Sequence, residues 1–143
     1  MKNVALLSLV MLALVGSSGC RGPKGSPDGT VKSWFSAIEA EDWEAMADMA
    51  SAKSMSKAGS REKAMNYFAK AYGPWTKANV VSIDESLIDA DGKGATVMFT
   101  CVSTMLENHK ENDYDCSDTF ALVKEEDEKW HLHIPGAGGL KRM

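Results

Sequence analysis

The sequence predicts an α+β domain in which N-terminal helices pack on a curved antiparallel sheet. Apolar residues recur at helical spacing as far as Tyr72, and from Val80 onward their period falls to two. Short polar turn clusters separate the later segments, which favours consecutive antiparallel strands over strands joined by crossover helices.

The 143 residues carry a net charge of -4 and are 44% hydrophobic, which allows one globular domain and excludes a wholly disordered chain. The mild acidity also argues against nucleic acid as a partner.

The first nineteen residues are predicted to be a signal peptide. A short positive start is followed by an apolar run from Val4 to Val15. These twelve residues would span about 18 Å as a helix, whereas the hydrocarbon core of a bilayer is about 30 Å thick. The run is therefore too short for a membrane span and is typical of a secretory signal.

Small residues lead directly into Cys20, an arrangement that resembles the lipobox of bacterial lipoproteins. In that class the cysteine is lipidated and becomes the mature N-terminus. A diacylglyceryl thioether and an N-acyl chain such as palmitate would anchor the protein stably to its membrane. The resemblance implies a place in the bacterial cell envelope, with the domain in the periplasm or at the cell surface. Ser17 stands where the usual pattern has Leu, so an ordinary cleaved signal with a nearby cysteine stays open as the alternative.

Residues 20–25 are predicted to be the lipidated cysteine and a flexible tether, because their Gly and Pro residues disfavour a helix. Residues 26–143 then form a single domain. The sequence leaves open whether the inner or the outer membrane holds the anchor.

Three helices with defined starts are predicted in this domain. Ser26-Pro27-Asp28 begins the first, Asp42 caps the second, and Ser60 caps the third, which Gly73-Pro74 ends. Residues 51–60 lack a clear period and are predicted to be a loop or an irregular helix. The apolar stripes are Val31, Trp34, Phe35 and Ile38; Trp43, Met46, Ala47 and Ala50; and Met65, Phe68, Ala69 and Tyr72. These residues are most simply core, and an aromatic-lined pocket is the alternative.

Four strand regions with short polar turns follow the helices. They are residues 80–88, 95–105, 114–124 and 130–134. Consecutive strands of this kind form a meander, and the helices are expected to cover one of its faces.

The two ends of the domain carry a family resemblance. Ser26-Pro27 before a Trp-Phe helix, with Glu41-Asp42-Trp43 after it, resembles the nuclear-transport-factor-2-like (cystatin-like cone) superfamily. The segments 95–99 and 118–124, followed by Lys129-Trp130, are similar to a family of small bacterial lipoproteins of unknown function within it. The resemblance covers about residues 26–135 and implies a cone-like fold. Superfamily members include isomerases, cyclases and hydrolases with an acid-lined pocket, and also non-enzymatic binding and assembly modules, so the fold does not select a function.

Cys101 and Cys116 form the most informative pair of residues. A hairpin turn centred between Asn108 and His109 places the two cysteines directly opposite each other. The same register sets Asp118 beside an apolar residue of the neighbouring strand. An oxidising compartment would favour a cross-strand disulfide, and two free, buried cysteines are the alternative.

The sequence predicts no metal site and no cofactor. His131 and His133 share a strand face, but a stable metal site needs further ligands, so solvated histidines are predicted. Asp89-Ala90-Asp91-Gly92 opens like a calcium loop, but Thr100 stands where such a loop requires Glu. The sequence contains no P-loop, dinucleotide fingerprint or Ser-His-Asp signature.

Asp118 is the carboxylate with the best claim to a pocket. It lies between Cys116 and Phe120 on their strand face, where an acid could act as a general base toward a small apolar substrate. The sequence offers no partner acid, Tyr or His at a fixed spacing, so a structural or exposed Asp118 is favoured.

These observations favour a non-enzymatic, membrane-anchored envelope lipoprotein. Its domain is expected to bind a small apolar ligand or an envelope protein. The alternative is a small-molecule isomerase, cyclase or hydrolase that uses a pocket carboxylate such as Asp118. A third interpretation is a module that assembles through its sheet as a homodimer.

Overall fold

The computed structural model describes residues 21–134 and places four helices before four strands, in the order that the apolar periods predict. The predicted signal peptide, Cys20 and residues 135–143 lie outside the described residues. The helices are α1 (Pro27–Glu39), α2 (Trp43–Met49), α3 (Ala52–Ala58) and α4 (Arg61–Tyr72). The strands are β1 (Trp75–Ile88), β2 (Gly94–Glu107), β3 (Lys110–Lys124) and β4 (Trp130–Leu132). None of the helices within residues 21–134 has the length and apolar character needed to cross a bilayer.

Each helix begins at a polar side chain that accepts a hydrogen bond from a backbone N–H three residues later. These capping residues are Ser26, Asp42, Ser51 and Ser60. The helix α3 corrects the expectation of a loop or an irregular helix over residues 51–60. It is regular because Ser51 caps its start and Gly59, with a φ of 87°, ends it in the left-handed region.

The four strands form one antiparallel sheet in the order β1-β2-β3-β4. A two-residue turn joins β2 to β3, and its residues Asn108 and His109 both have positive φ, as a type I′ hairpin requires. Because this turn is so tight, β3 begins at Lys110, earlier than predicted. The strand β1 also begins early, directly after the Gly73-Pro74 break, whereas β4 ends at Leu132, before residue 134.

The sheet is curved toward the helices. Three irregularities in the pairing of β1 with β2 fall along β1, and such bulges strengthen the local twist of a strand. The helix α1 consequently contacts both edge strands, β1 and β4. This arrangement is an α+β fold with the helices on one face of an open antiparallel sheet.

The core lies between α1 and the inner face of β2. Alternate residues of β2 are buried there: Ala95, Val97, Phe99 and Cys101. Phe99 is fully buried, and its ring centroid lies 5.3 Å from that of Phe35 and 4.8 Å from that of Phe120. On the outer face of β2, Met98 and Val102 keep 38% and 39% of their surface exposed.

A second aromatic group joins the helices to the start of the sheet. Trp34 packs edge-on against Phe68 and Tyr72, and Tyr72 packs edge-on against Trp75. Burial raises the pKa of Tyr72 above its ordinary value, so its hydroxyl stays protonated in this apolar setting.

The segment before α1 also belongs to the folded body. Lys24, which the sequence places in the flexible tether, pairs with Trp130 in an antiparallel bridge, and the Trp130 N–H donates to the Lys24 carbonyl at 2.9 Å. Thr30 Oγ1 donates to the Trp130 carbonyl at 3.1 Å and accepts from the Lys24 N–H at 2.9 Å. These bonds satisfy backbone groups along β4 that would otherwise lack partners at the edge of the sheet.

Candidate ligand-binding cleft

A cleft of about 160 Å³ opens between α3 and α4 beside the end of β4. We call it the α3–α4 cleft. Its lining consists of Ala50, Ser54, Met55, Lys57, Ala58, Lys63, Ala64, Tyr67, Phe68 and Ile134. Ala50, Ala64 and Phe68 are buried and form its floor, whereas the two lysines are exposed and stand at its mouth. The lining is therefore apolar within and cationic at the opening.

The cleft exists because small residues face each other where large ones would fill the space. Ala50, Ala58 and Ala64 each contribute only a methyl group to the lining. A salt bridge of 2.6 Å between Arg61 and Asp48 links the start of α4 to α2, and the hydrogen bond that Arg61 donates to the Asp48 carboxylate raises the pKa of the guanidinium. This contact joins α4 to α2 and not to α3, so it does not close the cleft.

Ser54 closes one wall of the cleft through hydrogen bonds that leave its hydroxyl occupied. The Ile134 N–H donates to Ser54 Oγ at 2.8 Å, and Ser54 Oγ lies 2.9 Å from Ser51 Oγ. The Ser51 N–H donates to the Leu132 carbonyl at 2.8 Å, so α3 is tied to β4 and to the residues that follow it. Ser54 therefore orders the wall and does not present a free nucleophile or donor to a ligand.

The cationic groups of the cleft lie at neighbouring helix ends. Lys57 is in the last turn of α3, and Lys63 is in the first turn of α4. A Cβ built on Gly59, the residue that ends α3, would lie 3.9 Å from Lys63 Nζ, so this ammonium group sits beside the junction of the two helices. Within residues 21–134, neither lysine takes part in a salt bridge.

Comparison with solved structures identifies the architecture that carries this cleft. The chain matches the nuclear-transport-factor-2-like superfamily protein from Salmonella enterica at a TM-score of 0.51 and 15% identity, over 72% of this chain and 82% of that one. The fold is NTF2-like. A SEC-C motif containing protein from Rhodopseudomonas palustris matches at a TM-score of 0.53 and 12% identity, over 77% of each chain. The sequence matches no protein-family model, and no curated protein matches it.

The NTF2-like sheet brings Cys101 and Cys116 together in the predicted register. They are direct partners across β2 and β3, their Cα atoms are 4.9 Å apart, and their sulfur atoms lie at disulfide distance. Phe99 faces Asp118 in the same pairing, so the position of the hairpin turn was predicted correctly.

Asp118 lies on the inner side of β3, but it is exposed and does not line the α3–α4 cleft. Its carboxylate accepts a hydrogen bond from the backbone N–H of Thr119 at 2.7 Å. The strand β4 pairs only with residues 122–124 of β3, and residues 111–119 are exposed except for the half-buried Cys116. This part of the NTF2-like sheet provides no enclosed pocket around an acid.

His131 is buried, which corrects the expectation of a solvated histidine. Only 7% of its surface is exposed, and its Nε2 lies 2.9 Å from an oxygen of Asp127 and 3.9 Å from one of Glu125. Desolvation opposes ionisation of Asp127, but hydrogen bonds from His131 and from the Lys129 N–H outweigh it and lower the pKa of Asp127. The turn between β3 and β4 folds back over His131, a contact that strand alternation cannot reveal. His133 is half-buried.

The described residues hold no group of three or more His, Cys, Asp and Glu side chains placed to bind a metal ion. The residues of the cleft were not predicted as a site, because α3 was not expected to be a regular helix. The signal that could have revealed it is Ser51 and Gly59, a cap and a stop that flank one short helix.

Proposed function

We propose that this chain is a lipid-anchored envelope protein whose NTF2-like domain binds a small apolar molecule in the α3–α4 cleft without chemical conversion. The observation that carries the proposal is the cleft itself, with its buried apolar floor and a volume of about 160 Å³. An engineered apolar cavity of about 150 Å³ in another protein stays dry and takes up benzene, so the space suits a molecule of that size.

The chemistry of the lining supports binding more than catalysis. It contains no His, Cys, Asp or Glu, and the hydroxyl of Ser54 is already hydrogen-bonded. General acid–base catalysis most often uses His, Asp or Glu, whereas the titratable side chains of this lining are Lys57, Lys63 and Tyr67. The catalytic alternative through Asp118 has less support, because this carboxylate is exposed and lies outside the cleft.

A second copy of the chain is the alternative partner. Met98 and Val102 are exposed on the outer face of β2, opposite the helices, and apolar residues on a sheet face can be covered by a second sheet. Analytical ultracentrifugation distinguishes a dimer from a monomer, and Val102→Glu should abolish a dimer formed through this face.

Filling the cleft tests the leading proposal. Ala64→Leu adds a larger side chain to the buried floor, and we expect it to remove binding of benzene-sized probes because the space is then occupied. Native mass spectrometry after gentle purification detects a retained ligand, and chemical shifts of the Met55 and Ile134 methyl groups report an added one.

Ala69→Leu is the matched control, since Ala69 is a half-buried residue of the same helix that does not line the cleft. Thermal unfolding of both variants checks that they remain folded. Equal ligand binding by Ala64→Leu and by the unmodified chain would place the ligand elsewhere and contradict the proposal.

A further inference from the structure

We infer that the ligand of the α3–α4 cleft is an anionic amphiphile, a small carboxylate whose apolar part fills the cleft and whose charge pairs with Lys57 and Lys63. This inference rests on the proposed function, because it names the chemical class bound at the same site. The ligand we infer is a small molecule in solution and not a membrane lipid, because a cleft of about 160 Å³ cannot hold a whole long acyl chain.

The interior of the cleft selects an apolar group. Ala50, Ala64 and Phe68 form a buried floor without polar side-chain atoms, and Ser54 Oγ is already bonded to Ile134. A polar group placed there would lose its hydration without gaining a partner, which is unfavourable. The polar part of a ligand must therefore remain at the mouth.

The mouth of the cleft selects a negative charge. Lys57 and Lys63 both line it, and none of the lining residues is acidic. The acidic neighbour Glu62 lies in the same helical turn as Lys63 but does not line the cleft. The chain as a whole carries a charge of -4, so this opening is a local positive region on an acidic protein. Such a region attracts anions from solution.

The helix dipole favours a positive charge at the position of Lys57 but disfavours one at the position of Lys63. Lys57 lies in the last turn of α3, where a cation interacts favourably with the helix dipole. Lys63 lies in the first turn of α4, where the same dipole disfavours a cation. Lys63 is also without a salt-bridge partner in the described part of the chain. A ligand carboxylate at the mouth of the cleft would compensate both ammonium groups.

Three probes that share one ring test the inference. Benzoate, benzyl alcohol and benzylamine are titrated into the mature chain, residues 20–143, carrying Cys20→Ser, which has the whole domain but no acyl groups. Methyl resonances of Met55 and Ile134 report occupancy of the cleft. We expect benzoate to bind about fivefold to tenfold more tightly than benzyl alcohol, the gain expected from two partly exposed ion pairs, and benzylamine to bind most weakly. The preference for benzoate should shrink as salt is added.

Paired lysine variants assign the preference to the mouth of the cleft. Lys57→Met with Lys63→Met should remove the preference for benzoate, so that benzoate and benzyl alcohol bind this variant equally. Lys53→Met with Lys70→Met is the matched control, because these lysines lie on the same two helices and do not line the cleft. The control should bind benzoate as the parent chain does.

The possible outcomes distinguish failure of the anionic class of ligand from failure of the cleft as a binding site. Equal binding of benzoate and benzyl alcohol overturns the anionic class but leaves the apolar cleft. A loss of benzoate binding in the control pair overturns it as well, since the effect would then be one of net charge. Absence of binding by all three probes overturns both the anionic class and the cleft as a ligand site.

Discussion

Phe99 is the largest fully buried side chain in the described part of the domain. It is fully buried on the inner face of β2, and its ring contacts those of Phe35 and Phe120. We expect Phe99→Ala to lower the free energy of unfolding by about 3–5 kcal/mol, because it removes a large buried side chain and leaves a cavity.

Urea denaturation measures this effect, with Met98→Ala as the control on the adjacent residue. Met98 points away from the helices and is 38% exposed, so its truncation should cost less than about 1 kcal/mol. Similar losses for the two variants would contradict the assignment of the inner and outer faces.

The β2–β3 hairpin is the element with the strongest local determinants. Asn108 and His109 adopt the positive φ angles of a tight turn, and the strand pairing continues without irregularity from Glu107 and Lys110 to Gly94 and Val123. A register set by a two-residue turn can be predicted from sequence, because each further pair follows from the first. This is why the facing of Cys101 and Cys116 was predictable.

We expect the two cysteines of this hairpin to be oxidised in the exported protein. Its intact mass without reductant should be two hydrogens lower than after reduction. Replacing both Cys101 and Cys116 with Ser should reduce the free energy of unfolding by up to about 3 kcal/mol, the chain-entropy value for a loop closed over a separation of 15 residues. Reductant should destabilise the parent chain and leave the double variant unchanged; equal sensitivity of both would contradict the prediction.

Other elements depend on contacts that periodicity does not encode. Ser51–Gly59 holds one short helix without an apolar stripe, and its stability comes from a cap, a left-handed stop and the bonds that Ser51 and Ser54 make beyond it. His131 is buried by a turn that folds over β4, although strand alternation assigns it to a solvated face. The α3–α4 cleft is formed by two helices and the residues after β4, so it could be located only from the tertiary structure.

For the whole molecule, the fold class followed from the change of apolar period, and the site did not. Helices first and strands afterwards leave few arrangements other than helices on one face of a meander. The sequence singled out Asp118 as the candidate pocket carboxylate and gave no sign of Lys63, whereas it is Lys63 that lines the cleft.

Attachment to a membrane is a property of the whole chain that we expect Cys20 to determine. We expect the exported chain to sediment with membranes and to gain the mass of a diacylglyceryl group and an acyl chain at Cys20, because two or more buried chains give stable attachment. Cys20→Ser should move it to the soluble fraction. Ser18→Thr, a conservative change two residues earlier, is the control for export and for cleavage of the signal peptide. A parent chain that lacks the added acyl mass at Cys20 would contradict lipidation at this residue.

The pairing of Lys24 with Trp130 sets how far the domain can stand from a bilayer. In a chain lipidated at Cys20, only four residue steps separate the acylated cysteine from this fixed point, a reach of at most about 14 Å. That distance is less than half of the roughly 30 Å hydrocarbon core beneath it. The domain would therefore stay close to the lipid surface with its β4 edge nearest. Ile134, just beyond the other end of β4, lines the α3–α4 cleft. In an anchored chain, a small amphiphile that leaves the bilayer would therefore need to cross no more than the width of this domain to reach the cleft.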